Sequence, residues 1–514
     1  MLSRASLVWV AVLALLAGLP AGPAVASVGP VRLGAWSGPA LVDGNALSAV
    51  SCANTGLCAA VDQGGYVVFD RDGTWAAPVP VSPGVPLQAV SCATSTFCMA
   101  IDGAGNYYIY NGVTWSSPAA LEPGSYSTPQ AVSCPTPSFC LAVDTNGDAV
   151  IYNGAGWGVP AQVSTDASFL SSAQVSCLSS RFCAAVGDQG QTFIYDGTGW
   201  VETIADDAAG GFVSLSCAAP DWCVVSDDSG NVMVYNGTWG LPARLDNNSF
   251  NKIFLSCASS TYCVGTDGGG STWVYNGISW VPSGQAIASG FDGIACPQLG
   301  LCVGADSNGQ VFVYRAVSRA SLAAPLLVYG DEQGANLAVN VSSWAVPALS
   351  GTVRVWRGHT RVCATRIVAG WGTCRLGPTA LAPGVTWLTV SYTGAPGVAP
   401  SSTPARARVV RVPTRTVLSI TRRPARDRTE DGVRFNVEVL PRFVGGAGGL
   451  VAVRAGARIL CLAPLRPGRT SSHGWCSLPP AQLPAGLYSV TATYIGTAVF
   501  ASSSSAVLRL QTTV

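Results

Sequence analysis

Between Ser48 and Tyr314 the apolar positions fall in short runs, too short for helices and separated by clusters of turn-forming residues. In one stretch the runs are Ala89–Cys92, Cys98–Ile101, Tyr107–Tyr110 and Trp115–Leu121. The separators are Ala93–Phe97, then Asp102-Gly103-Ala104-Gly105, then Asn111-Gly112. Runs of this kind bounded by Gly, Asn and Asp predict antiparallel strands joined by tight turns. The whole unit recurs seven times as V-S-C-x5-C-x-A-V-D-x-x-G-x4-Y-N-G-x-x-W, with local drift. Its first cysteines are Cys52, Cys92, Cys134, Cys177, Cys217, Cys257 and Cys296, spaced 40, 42, 43, 40, 40 and 39 residues apart.

A fixed period of this length signals a solenoid or a propeller. The seventh copy decides between them. It stops at Val311-Phe312-Val313-Tyr314 without the N-G-x-x-W quarter. That quarter stands instead near the N-terminus, where Trp36-Ser37-Gly38-Pro39-Ala40-Leu41 matches Trp115–Leu121 apart from one residue. A solenoid needs no closing strand, whereas a ring built this way hides two sheet edges that would otherwise pair with other chains. The expected fold is all-β: a seven-bladed β-propeller over 27–317, closed by an N-terminal strand.

A longer repeat follows. Leu381–Gly394 realigns 102 residues later with Leu483–Gly496, and Gly351–Cys363 pairs with Gly449–Cys461 at an offset of 98. Alternating strands with Gly/Pro turns at this length predict two β-sandwiches, over 318–412 and 413–514. Their G-T-V-x-V strand and closing L-x-A-G-x-x-x-V-T-A-x-Y-x-G run resemble the bacterial Ig-like repeats of secreted and surface proteins. The first copy departs from that pattern at Trp387 and in the proline-rich stretch Ala395–Pro404. The resemblance implies a spacer or surface-attachment role for both sandwiches.

Composition adds a compartment. Met1–Ala26 has Arg4, an apolar run Leu7–Leu16 and Ala24-Val25-Ala26 before Ser27, the layout of a secretory signal. No later stretch is apolar enough to span a membrane, so the expected location is secreted or extracellular, as a monomer. The eighteen cysteines all fall into close pairs, which behind an export signal predicts disulfides. The pairs in the ring are Cys52–Cys58, Cys92–Cys98, Cys134–Cys140, Cys177–Cys183, Cys217–Cys223, Cys257–Cys263 and Cys296–Cys302. Cys363–Cys374 and Cys461–Cys476 then pin neighbouring strands in the sandwiches. Metal ligation is the competing reading, but the ring has no histidine. No metal and no cofactor is expected.

Charge divides along the chain. Residues 27–315 hold 21 Asp+Glu against 6 Lys+Arg, and 316–514 hold 6 against 21. The imbalance predicts different partners for the two halves, or docking of one on the other. Arg406, Arg408, Arg411, Arg415, Arg422, Arg423, Arg426 and Arg428 cluster between the sandwiches. They read as solubilising charge or as a contact to an anionic wall polymer. Nucleic acid is not expected.

Catalytic chemistry is sparse. The only histidines, His359 and His473, lie in the sandwiches, so the ring cannot build a Ser-His-Asp or Cys-His site. Paired carboxylates leave a glycoside hydrolase as the alternative function. The hairpins before each tryptophan resemble the Asp-box turns of sialidase propellers only in part, since Tyr110 stands where the aspartate belongs. Trp36, Trp75, Trp115, Trp157, Trp200, Trp239 and Trp280 are expected between blades, similar to the tryptophan-docking motifs of other propellers. Aromatics that break the repeat, Tyr126, Phe169, Phe212, Phe250 and Phe291, are assigned to loops entering the inner strands and are candidate ligand contacts. With them stand the turn aspartates Asp62, Asp102, Asp144, Asp188, Asp227, Asp267 and Asp306, whose default role is to cap the turn. Asp144-Thr145-Asn146-Gly147-Asp148 hints at a calcium loop but lacks the acidic continuation of an EF-hand. In architecture the ring resembles lectin-type and docking propellers. The expected function is non-enzymatic binding of a glycan, a cell-wall polymer or a secreted protein through the variable-loop face.

Overall fold

The computed structural model describes residues 33–122, 127–163, 173–187, 190–204, 211–247, 252–285, 290–422, 432–478 and 482–512. The secretory-signal assignment to 1–26 falls outside them. Apart from a 3-10 turn at Glu332–Gly334, the fold is all-β.

Residues 34–316 form seven antiparallel sheets in a propeller-like series. Sheet 1 contains Leu47–Asn54, Leu57–Asp62, Tyr66–Arg71 and Thr74–Trp75, with Val79–Pro80 also on its third strand. Sheet 7 contains Phe291–Gln298, Leu301–Asp306 and Gln310–Ala316, and its outer strand is Gly34–Leu41. That strand runs antiparallel from Gly34 beside Ala316 to Leu41 beside Gln310. Its register breaks between Ser37 and Ala40, where Pro39 has no N–H to offer a ladder. The first strand of each sheet packs beside that of the next, and that of sheet 7 beside that of sheet 1.

The sequence places these strands closely but not completely. In sheet 2 the first three are Leu87–Thr94, Phe97–Asp102 and Asn106–Tyr110, longer than their apolar cores. The fourth shrinks from the expected Trp115–Leu121 to Ala119–Ala120 plus a bridge from Trp115 to Tyr110. Pro118 interrupts an edge strand, where proline is tolerated but cannot pair.

The six-residue cysteine spacing closes a hairpin in every sheet. Cys52 and Cys58 lie directly opposite each other across the first two strands, with Cα atoms 4.0 Å apart. The other six ring pairs repeat this arrangement. The V-S-C serine has a job the alternation pattern does not reveal. Its hydroxyl accepts the backbone N–H of the next sheet's first cysteine: Ser51 from Cys92 and Ser91 from Cys134 at 3.0 and 2.9 Å. Ser133, Ser176, Ser216 and Ser256 do the same for Cys177, Cys217, Cys257 and Cys296. The seventh position is Ala295, so the seam between sheets 7 and 1 has no such bond.

Beyond the ring, three- and five-stranded sheets enclose one core that includes Leu337, Val353, Leu388 and Tyr392. Four- and five-stranded sheets enclose a second around Phe435, Val453, Ala492 and Tyr494. Cys363–Cys374 and Cys461–Cys476 join one sheet to the other in each layer pair, rather than neighbouring strands of one sheet. The first layer pair is docked on the ring. Trp344 stacks on Tyr262 at 5.5 Å, and its indole N–H donates to the Leu33 carbonyl at 2.7 Å. Ala316 N–H donates to Gly397 O, and Ala399 N–H to Ala316 O.

Candidate functional site

Each ring sheet has two ends of different chemistry. At one end the chain enters the first strand and turns from the second to the third; Leu47 faces Asp62 there. The cysteine hairpin and the turn before tryptophan lie at the other.

The turn aspartates are structural. Asp62, Asp102, Asp144, Asp227, Asp267 and Asp306 are all 0–1 % exposed. In the D-x-x-G geometry one carboxyl oxygen accepts the backbone N–H two and four residues on. Examples are Asp102 from Ala104 and Asn106, and Asp306 from Asn308 and Gln310. Burial alone raises the Asp102 pKa, but bonds from Asn106, Tyr108 and Ala104 outweigh it and hold the carboxyl below its ordinary value. These candidate ligand contacts of the loop face are thus buried in their turns rather than displayed on it. Asp144 caps its turn through Asn146 and Asp148 in the same way. Among the described residues no three His, Cys, Asp or Glu side chains cluster as a metal site. Asp188 lies outside the described residues.

The irregular aromatics are corrected too. Phe212 and Phe291 are the first residues of inner strands, not loop residues, and each is 1 % exposed. Both fill the core, Phe291 against Phe312 and Trp36. Tyr126, Phe169 and Phe250 lie outside the described residues. The seven tryptophans sit between sheets. Trp115 of sheet 2, for example, packs in a cluster built from Leu57, Ala59 and Phe69 of sheet 1 and Ala100 and Tyr108 of its own sheet.

What the ring does present is an axial channel of about 230 Å³. Two or three consecutive residues of each first strand line it, the first of them four before the first cysteine, or three in the two sheets without a bulge at the strand start. Successive sheets place Ser48, Gln88, Gln130 and Gln174 there, then Val213, Phe254 and Asp292. The Ser48 hydroxyl and Asp292 Oδ2 are buried without a hydrogen-bond partner. Burial pushes the Asp292 pKa up against the pull of Ser307. At these first positions the channel has a polar arc of amide and hydroxyl groups, an apolar arc and one carboxylate, while the lining residues that follow them are small or apolar on every strand. None of these residues was singled out by the sequence, although counting back from the cysteine finds them. A second cavity, of about 590 Å³, opens at the seam between sheets 7 and 1.

The sandwiches display tryptophan. Trp387 and Trp475 are more than half exposed, each with an arginine over its ring, Arg406 at 4.3 Å and Arg434 at 4.0 Å. Arg406, Arg408, Arg411 and Arg415 are exposed.

No family model matches the chain, and no curated protein matches it. Solved structures with a similar fold include YCF48 bound to D1 peptide, at 13% identity and TM-score 0.46 over 55% of this chain and 95% of that one. YCF48 from Cyanidioschyzon merolae matches at 16% identity and TM-score 0.45 over 55% and 98%. The RRP9 WD40 repeats match at 9% identity and TM-score 0.46 over 54% and 96%. Likeness at this level concerns the fold alone.

Proposed function

We propose that this chain is a secreted, non-enzymatic binding protein. In this reading 27–317 form a seven-bladed propeller, and 318–412 and 413–514 are Ig-like sandwiches that space it or hold it to a surface. The ring recognises a glycan or surface polymer, or a secreted protein, at the end where the chain enters the first strands. One observation carries the reading. The ring repeats its cysteines, turn aspartates and tryptophans sheet after sheet, yet the channel position changes chemistry from glutamine to valine, phenylalanine, aspartate and serine. A lining that varies on a frame that repeats is what recognition needs, and binding residues favour such positions on a rigid scaffold. The first sandwich meets the ring at the cysteine-hairpin end, through Gly300 and Gly397. Nine disulfides suit an oxidising compartment.

Glycoside hydrolysis needs two acids on one substrate. The channel lining supplies Asp292 alone, and the turn aspartates are buried in caps. The exposed Trp–Arg pairs suit the sandwiches to an anionic, carbohydrate-rich surface.

Retention of the full chain on cell-wall polysaccharide resins at low salt tests the reading, with pull-down from culture medium as the protein-partner arm. Retention is expected, and Gln130→Trp, which plugs the channel, is expected to abolish it. Retention unchanged by that substitution, or absent from both arms, would count against the proposal.

A further inference from the structure

The ring makes one aromatic unit six times and omits it once. Opposite the second cysteine of sheets 2 to 7 stands a tyrosine: Tyr110, Tyr152, Tyr195, Tyr235, Tyr275 and Tyr314. Each tyrosine ring lies 5.2 to 5.5 Å from the tryptophan that closes its sheet. The tyrosine reaches back towards the preceding sheet. Tyr110 meets Phe69 of sheet 1, its hydroxyl donates to Gly112 O at 2.7 Å, and Arg71 of sheet 1 donates to that hydroxyl. Tyr314 likewise reaches Ser283 of sheet 6 at 2.7 Å.

In sheet 1 the residue opposite Cys58 is Asp70, paired with Trp75 as the tyrosines are paired with their tryptophans. The missing phenol leaves a gap against sheet 7. There the cavity of about 590 Å³ is bounded by Asp70, Trp75, Val313, Arg315 and, from the first sandwich, Pro396. Its size is that of a small-ligand pocket. Asp70 is 7 % exposed, and its Oδ1 is buried with no hydrogen-bond partner. Arg315 follows Tyr314 as Arg71 follows Asp70, so it stands where Arg71 stands at the next interface. No carboxylate among the described residues is in ion-pair contact with Arg315. The seam therefore keeps the tryptophan of the repeated unit, has an arginine as the interface of sheets 1 and 2 does, and adds an unsatisfied acceptor.

We propose that this cavity binds a p-hydroxyphenyl group, as a tyrosyl side chain or a free phenol, with its ring on Trp75 and its hydroxyl between Arg315 and Asp70. The hydroxyl donates to the Asp70 carboxylate and accepts from the guanidinium, so one group satisfies both. The ring supplies the aromatic contact that the other six sheets make internally. The site lies at the cysteine-hairpin end, away from the channel entrance of the preceding section, and stands or falls separately from it.

The test uses the full chain with N-acetyltyrosinamide, N-acetylphenylalaninamide and p-cresol, read by titration calorimetry. Saturable binding of the tyrosinamide is expected, roughly tenfold tighter than the phenylalaninamide, as one hydrogen bond to a charged group predicts. Asp70→Tyr fills the cavity and is expected to abolish binding. Arg315→Gln is expected to erase the preference for tyrosine over phenylalanine, and it serves where the first variant does not fold. Binding of p-cresol as tight as the amide identifies a free phenol as the source; weaker binding identifies a tyrosyl side chain. No saturable binding of either phenol to the folded protein overturns the proposal. So does binding that survives in folded Asp70→Tyr, or a tyrosine preference that survives Arg315→Gln.

Discussion

Asp70 is the residue at which the repeat and the chemistry part company. Burial raises its pKa above the ordinary 3.8, the backbone N–H groups of Gly73 and Thr74 hold it down, Asp72 raises it and Arg315 lowers it; the net shift is upward. A carboxyl with a raised folded pKa binds its proton more tightly in the native state than in the unfolded one. Its stabilising contribution is complete below pH 3.8 and is lost as pH rises through the folded value. Asp70→Asn, which keeps an acceptor oxygen and carries no charge, is thus expected to be more stable than the parent at pH 7. The difference should vanish below pH 3.8 in thermal unfolding followed by circular dichroism. A gain that is equal at both pH values would contradict the assignment. The residue was accessible to sequence reading: Tyr110, Tyr152, Tyr235, Tyr275 and Tyr314 each stand eight after a turn aspartate, and eight after Asp62 stands Asp70. The motif Y-N-G-x-x-W concealed it, because Asp70-Arg71-Asp72-Gly73 reads as ordinary turn drift. Phe212 and Phe291 went the other way. Both break the repeat in sequence, yet they only fill the core, because irregularity along a chain does not reveal which side of a strand faces out.

At the scale of the element, alternation and turn residues made the strands legible, since a half-buried strand must alternate and its turns need Gly, Asn or Asp. Cross-sheet bonds were not legible. The V-S-C serine looks like an ordinary outward residue until the next sheet is in place and its hydroxyl meets a cysteine N–H. Each such bond contributes about 0.5–1.5 kcal/mol net. Ser133→Ala is expected to lower the unfolding free energy by about that amount in urea titrations, more if the Cys177 N–H is left buried and unpaired. Ala295→Ser, at the position that lacks the hydroxyl, is expected to raise it within the same range. If Ser133→Ala is neutral, the serines do not tie the sheets together. The sandwiches were legible as paired layers, but not the reach of their cysteines. Spacings of 11 and 15 residues suit adjacent strands as well as facing sheets, and only the topology separates the two.

For the whole molecule, no ion pair among the described residues joins the oppositely charged halves. The one ion pair among the described residues is His473 with Glu438 at 3.7 Å, inside the second sandwich. The ring meets the first sandwich through Trp344, Ala345 and Val346 against Tyr262, Tyr314 and Leu33, an apolar contact that leaves Arg406, Arg408, Arg411 and Arg415 exposed. The excess charge of the two halves is thus not what holds them together at this contact. The channel and the Asp70 cavity both depend on Gly34–Leu41 closing the last sheet. Hydrogen–deuterium exchange of the full chain, resolved by peptide, tests this most directly. Amides in 34–41 and in 310–316 are expected to exchange together, at the slow rate of the other paired outer strands such as 200–204. Fast exchange across 34–41, with 310–316 open at its outer edge, would contradict the closed ring.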